Sequence, residues 1–353
     1  MQRSVIAHCR PGFEAECASD LLRLAARAGT RIACEALAGS AFVVAPVEPF
    51  DAPRWQYALK TAPPWFARSI FVGDGPHALT TRDRVTPVLA IAGRHEPPFA
   101  AIWLETPDTN EGKLRSGMCR RLSPLLVERA RGANLLVANG ASDKRLHVLF
   151  VDAVSAWVGV SSAATGSPWP MGIPRLALPR LAPSRSALKL AEALLTFLTP
   201  DESERLLRPG MRAVDLGAAP GGWTWQLANR GLRVTAIDNG PLKGELAQDP
   251  LVEHLRVDGL RWRPRGRVDW MVCDMVLQPS RVAALIAAWI AEGACRRTIF
   301  NLKLPMKKRY AEVERCAALI RDALERRRLR YTLSFKQLYH DREEITGYCG
   351  RLD

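Results

Sequence analysis

Val214-Asp215-Leu216-Gly217-Ala218-Ala219-Pro220-Gly221-Gly222-Trp223 is the most specific string in this 353-residue chain. Met211–Leu216 is a short apolar run, which predicts a strand that ends near Asp215. Three glycines follow within six residues, so the chain turns tightly and lets backbone approach a ligand closely. Trp223–Asn229 then opens a helix, whose first turn offers unpaired N–H groups. No Gly-Lys-Ser/Thr follows the turn, and the loop reads GAAPGG where a dinucleotide fingerprint needs GxGxxG. A phosphate is therefore a poor guest. A nucleoside carrying a zwitterionic amino-acid tail fits better.

The flanking sequence repeats the pattern. Leu232–Ile237 predicts a second strand, ending at Asp238. Leu255–Val257 predicts a third before Asp258, and Val268–Cys273 a fourth before Asp274. Thr298–Leu304, Tyr331–Tyr339 and Ile345–Leu352 read as further strands. Helical spacing appears in Ser186–Leu198, Arg281–Ile290 and Tyr310–Arg328. Strands alternating with helices predict an α/β fold, a doubly wound, mostly parallel Rossmann-like sheet. Ligands of such sheets lie beyond the carboxyl ends of the strands. Asp238 is then placed to hold ribose hydroxyls, and Asp258 to lie near the base. Either acid alone would be an ordinary strand-end carboxylate; with the glycine loop, the set predicts a cofactor site.

Upstream, Pro168, Pro170, Pro174, Pro179 and Pro183 crowd one segment and exclude a helix or central strand there. The expected organisation is a segment 1–65, a domain 66–163, a linker 164–183 and a catalytic domain 184–353. The first two are α+β, with strands expected at Ser4–Cys9, Ala41–Val47, Ser69–Val72, Ala100–Leu104 and His147–Phe150, and helices at Glu14–Ala28 and Lys113–Ala130.

Net charge is +14. Residues 1–165 hold 19 Lys and Arg against 15 Asp and Glu, while 166–353 hold 31 against 21. Such an excess attracts polyanions by counterion release, RNA foremost, although an arginine-rich proteome would also produce it. No apolar run reaches the roughly 18 residues that span a bilayer. The start lacks a signal-peptide pattern, so a cytoplasmic protein with no membrane partner is expected. The eight cysteines form no CxxC pair, which suggests neither a metal knuckle nor a disulfide framework.

The string DLGAAPGGWTWQLANRG resembles the first motif of the FtsJ-like RNA ribose 2′-O-methyltransferases. PSRSALKLAEA, DNGPL, WMVCDMV, IFNLKLPMKKRYAEV and QLYHDREEITGY follow in order. They are similar to a bacterial branch that methylates a cytidine of 23S ribosomal RNA. The resemblance implies S-adenosyl-L-methionine as cofactor, held by Ser186, Asp215, Gly217, Ala219, Pro220, Gly221, Gly222, Asp238, Asp258 and Asp274. It implies a catalytic tetrad of Lys189, Asp274, Lys303 and Glu344, with Lys303 as proton acceptor and Glu343 as rival for the fourth place. It also implies a ferredoxin-like segment and a THUMP RNA-binding domain in the N-terminal half. The expected partner is 23S ribosomal RNA, naked or in a pre-50S particle, met by a monomer with no metal.

Other readings bear on single residues. A lysine in Leu302-Lys303-Leu304 would by itself be an outward-facing strand residue. Lys307-Lys308-Arg309 is a solvated helix start or a grip on RNA phosphates; Arg326–Arg328 is a solvated helix end. Arg82, Arg84, Lys113, Arg115, Arg120 and Arg121 are candidates for phosphate contact. Met275-Val276-Leu277 after Asp274 lacks the Pro-Pro-aromatic clamp of amino-group methyltransferases. Cys273 lies next to Asp274 but alternation turns it away, so it is no C5 nucleophile. Alternatives are a dehydrogenase on the same sheet, a transfer-RNA 2′-O-methyltransferase, or an assembly factor that binds RNA without chemistry.

Overall fold

The structure is a computed structural model and describes residues 3–137 and 141–352. The chain divides into two compact units, Met1–Pro174 and Arg175–Asp353.

Unit 1 contains β1 (Arg3–His8), α1 (Glu14–Ala28), β2 (Phe42–Val47), α2 (Ala52–Thr61), β3 (Ser69–Ala78), α3 (Val85–Ala92), β4 (Ala101–Glu105), α4 (Asn110–Gly132), β5 (Lys144–Phe150) and β6 (Ser155–Ser162). Its strands form one sheet in the order β2-β1-β3-β6-β5-β4. Among the described strands of this sheet, only β4 and β5 pair in parallel. Helix α1 lays Leu21, Leu24, Ala25 and Ala28 against the sheet and stops at Gly29, which is left-handed at φ 70°. β3 is hydrogen-bonded to both β1 and β6, so strands from the expected segments 1–65 and 66–163 share one sheet. α2, α3 and β6 have no counterpart in the sequence reading. α2 is short and opens on Asp51, whose carboxylate caps Arg54 N–H at 3.0 Å.

Unit 2 contains α5 (Ala187–Phe197), α6 (Pro200–Leu206), β7 (Arg212–Leu216), α7 (Gly222–Ala228), β8 (Arg233–Ile237), β9 (Val252–Leu255), β10 (Val268–Cys273), α8 (Pro279–Ala291), β11 (Cys295–Lys303), α9 (Arg309–Arg326), β12 (Tyr331–Lys336) and β13 (Glu344–Arg351). The seven-stranded order is β12-β13-β11-β10-β7-β8-β9. β9, β8, β7, β10 and β11 run parallel; β13 is antiparallel to β11, and the edge strand β12, antiparallel to β13, runs in the direction of the other five. Strand order reverses between β7 and β10, which opens a crevice at their carboxyl ends. Leu190, Leu194, Trp223, Trp270, Val272 and Ile299 pack in the core beneath it. The Trp270 indole donates to Leu206 O at 2.6 Å.

The third strand departs from expectation. It spans Val252–Leu255, and Arg256 and Val257 have already left the sheet. Asp258 therefore does not end a strand. Pairing with β8 stops at Leu255, the partner of Ile237, because β8 itself ends there.

Candidate active site

β7 delivers Asp215 into the core, where it is 1% exposed. Thr224 Oγ1 on α7 donates to its Oδ2 at 2.6 Å. Its Oδ1 is buried without a hydrogen-bond partner among the described residues. Burial pushes the carboxyl up to about 7; the charge of Asp274 adds to this and the Thr224 bond opposes it. The loop then turns at Gly217, φ 79°, and Gly221, φ 111°. A Cβ at Gly217 would lie 2.7 Å from the Met275 side chain. One at Gly222 would collide with the hydroxyls of Ser186 and Ser184, which bond to each other at 2.7 Å.

Asp238 follows β8 and fastens the loop from the side. Its Oδ2 accepts from Ala219 N–H at 3.0 Å and its Oδ1 from Gly240 N–H at 2.8 Å. Lone pairs remain on both oxygens for a sugar. Asp258 is further out, with its side chain 54% exposed, accepting from Leu260 N–H at 2.9 Å and lying 3.6 Å from Arg261. Its neighbour Gly259 sits close to Leu216, Ile237 and Met275, so this turn borders the same crevice. A cradle without Cβ atoms, a fastened loop and an unsatisfied carboxylate oxygen fit a nucleoside with a cationic amino-acid tail.

Four charged side chains meet next to this loop. Lys189 comes from α5, Asp274 from the end of β10, Lys303 from the end of β11 and Glu344 from the start of β13. Lys303 Nζ lies 3.3 Å from Asp274 Oδ1 and 3.3 Å from Glu344 Oε2. Lys189 Nζ bonds Glu344 Oε1 and lies 3.6 Å from Asp274 Oδ2. Each ammonium thus touches both acids in a closed ring. Burial alone would lower the Lys189 pKa, but Asp274 and Glu344 outweigh it and raise it. Burial would likewise raise Glu344, yet the bonds and charges of Lys189 and Lys303 pull it down. Both shifts favour the ion pairs. Asp274 N–H donates to Leu216 O at 3.3 Å, which joins the ring to the glycine loop.

A second layer, absent from the sequence reading, positions the ring. Asn301 Nδ2 donates to Asp274 Oδ1 at 2.8 Å. Thr346 Oγ1 lies 2.8 Å from Asn301 Oδ1 and 2.9 Å from Asp341 Oδ2. Burial drives Asp341 well above the ordinary carboxylate range, followed in weight by the Leu338 N–H bond, which opposes it. Strand alternation carried the signal: Asn301 and Lys303, and Glu344 and Thr346, are each two residues apart and share a face. Glu343 points elsewhere and pairs with Arg309 at 3.0 Å, its side chain 64% exposed.

Three family models match the chain in sequence order. A ferredoxin-like domain of RlmM matches residues 1–70, the N-terminal domain of ribosomal RNA large subunit methyltransferase M matches 83–162, and an FtsJ-like methyltransferase matches 182–325. The ribosomal RNA large subunit methyltransferase M of Aromatoleum aromaticum is 51% identical over 357 residues, covering 98% of this chain and 94% of that one. That of Azoarcus sp. is 49% identical over 346 residues, covering 98% and 95%. The chain belongs to the RlmM family.

The RlmM family sits within the FtsJ-like methyltransferases, and its methyl donor is S-adenosylmethionine. This RlmM-family chain meets that cofactor's needs with the loop of β7 and α7. Cys273 is buried in the sheet and its thiol is pushed by burial up to about 12, consistent with an inert core residue. Of the basic residues considered for RNA, Arg82, Lys113, Arg120 and Arg121 are exposed, while Arg84 is bonded to the carbonyls of Thr81 and Ala153. Lys307 and Lys308 are exposed just before α9. Among the described residues no helix is long and apolar enough to cross a membrane, and no group of three or more His, Cys, Asp or Glu could hold a metal ion.

Proposed function

We propose that this chain methylates the 2′-hydroxyl of a cytidine in 23S ribosomal RNA. The observation that carries this reading is the closed ring of Lys189, Asp274, Lys303 and Glu344 beside the glycine loop. When bound, S-adenosylmethionine supplies an electrophilic methyl group on sulfur. The chain's own residues must then orient a ribose hydroxyl and take up its proton as the oxygen bonds to the methyl carbon. Lys303 is the proton acceptor: as the uncharged amine it takes the hydroxyl proton and becomes the ammonium that Asp274 and Glu344 hold, and it is the more exposed lysine, 26% against 15%, at the end of β11. Lys189 is the fixed cation, tied to both acids. Asp274 and Glu344 aim the two lysines, and Asp274 borders the cofactor as well. Ser186 and Gly222 line the amino-acid tail, Asp238 the ribose, and Asp258 the outer rim.

The names of the relatives support the large-subunit RNA as substrate. The THUMP-like role of residues 66–163 is to hold that RNA, with α4 offering Lys113, Arg120 and Arg121 to phosphates. The protein acts as a monomer in the cytoplasm on this reading. Mapping of 2′-O-methylation in ribosomal RNA from cells with and without the gene tests it. One cytidine of 23S RNA should lose its mark. An unchanged ribosomal pattern with a lost transfer-RNA mark would move the substrate to transfer RNA.

A further inference from the structure

Unit 1 holds a cavity of about 190 Å³ whose lining includes none of the residues assigned above. It is small for a drug-sized ligand and suits one planar ring system. Ile70, Val72 and Val160 give it apolar walls, and Trp55 lines it while only 3% exposed. The Trp55 indole N–H is buried and has no hydrogen-bond partner among the described residues. Buried indoles usually find an acceptor, and an orphaned donor is costly unless a ligand supplies one.

Ser161 also lines the cavity, and a buried chain of side chains orients it. Its Oγ lies 2.8 Å from His147 Nε2, and His147 Nδ1 lies 2.8 Å from Glu105 Oε2. His147 is fully buried and stacks on Phe71 with ring centroids 4.7 Å apart. His8 Nε2 stands 3.4 Å from the same carboxylate oxygen, and Met171 N–H donates to the other. Burial would raise Glu105, but the two histidines prevail and hold it well below the carboxylate range. Whichever proton count the imidazole carries, a lone pair of Ser161 remains for the cavity. Arg3 stands at the rim, its guanidinium 5.8 Å from the Phe50 ring, and makes no ion pair among the described residues.

A donor and an acceptor over apolar walls, with a cation at the rim, match one ligand chemistry. We propose that this cavity binds a nucleotide, the base lying against Trp55 and Val160, its polar edge on the indole N–H and Ser161, and its phosphate at Arg3. The nucleotide comes either free or as one unstacked unit of an RNA strand.

The full chain, saturated with S-adenosylhomocysteine to fill the methyltransferase loop, is titrated calorimetrically with cytidine and adenosine 5′-monophosphates and with a five-nucleotide single-stranded RNA. Binding to either probe is expected, weakened about five- to tenfold by each of Trp55→Phe, Ser161→Ala and Arg3→Ala. Equal affinity for both probes assigns a free nucleotide; tighter binding of the oligonucleotide assigns an RNA strand. Unchanged S-adenosylhomocysteine binding and a retained unfolding midpoint report that each variant is folded, and the exposed Arg3 serves if a buried change does not fold. No binding of either probe at millimolar concentration, or equal affinity in all three folded variants, overturns the proposal.

Discussion

Lys303 and Glu344 face each other directly across the antiparallel β11–β13 pair, with the ammonium 3.3 Å from the carboxylate. Forty-one positions separate them in the chain, and the backbone register alone makes them neighbours. Pairing continues one step further, where Leu304 N–H donates to Glu343 O at 2.7 Å, so the register is held on both sides. A one-residue slip would turn Glu343 inward and Glu344 out.

Lys303→Ala should lower methyl transfer to ribosomal RNA at least about 100-fold, the usual weight of a proton acceptor. S-adenosylhomocysteine binding, followed by calorimetry, should stay within twofold of the parent on the order of measurement error. Full transfer by the variant would remove Lys303 from the mechanism.

Glu344→Gln and Glu343→Ala should behave differently although the residues are adjacent. Glu344 is buried between two ammonium groups, and its loss leaves Lys189 partly uncompensated, costing on the order of 1–3 kcal/mol and most of the activity. Glu343 makes an exposed pair with Arg309, worth about 0–1 kcal/mol. Chemical denaturation and transfer assays on both variants separate them. Equal losses would contradict the inward assignment of Glu344.

The Glu344 shift also has a pH signature. Its folded pKa lies below the unfolded value, so its stabilisation is present above the unfolded pKa and fades as pH falls through the folded one. Lys189 is shifted upward, so its share is present below its unfolded pKa and fades as pH rises through the folded one. The stability gap between the parent and Glu344→Gln should therefore be widest near neutral pH and close in acid. Denaturation curves at several pH values read this directly, and a gap constant down to pH about 3 would argue against the ion pairs.

Asp215 carries the opposite sign for an acid. Its folded pKa is raised to about 7, so folding is favoured by protonation and the penalty for its charge grows as pH rises toward that value. A cationic ligand tail would reward the ionised form. S-adenosylhomocysteine affinity should rise between pH 6 and 8, by at most about tenfold per pH unit. In Asp215→Asn the profile should lose that rise. The same slope in both proteins would mean that another group titrates.

Thr346→Val removes the hydroxyl that links Asn301 to Asp341 while keeping the shape of the side chain. Two buried polar groups lose a partner, which should cost about 1–3 kcal/mol. Because Asn301 bonds Asp274, transfer should slow with little change in RNA affinity. An unaffected rate at matched stability would confine the network to structure.

Much of unit 2 was legible because its strands are short apolar runs punctuated by Asp and Gly. Val268–Cys273 is the strand Val268–Cys273, and Glu14–Ala28 in unit 1 is the helix Glu14–Ala28. Where the reading failed, the local signal was weak. Leu255-Arg256-Val257 looks extended, but a parallel strand lasts only as long as its partner, and β8 ends at Ile237. β6 was missed because its Gly159 lacks a side chain; it packs backbone to backbone against Gly73, where a Cβ would lie 2.6 Å from Gly159 Cα.

The sequence by itself determined the sheet type, the glycine loop and the identity of the charged residues, because alternation, turn chemistry and residue type are local properties. It did not decide which acid faces inward, nor that Asn301, Thr346 and Asp341 stand behind the ring, nor that Asp258 leaves its strand early. Those depend on register between β11 and β13 and on where neighbouring strands stop. Hydrogen bonding across the sheet sets both, between segments that the chain itself keeps far apart.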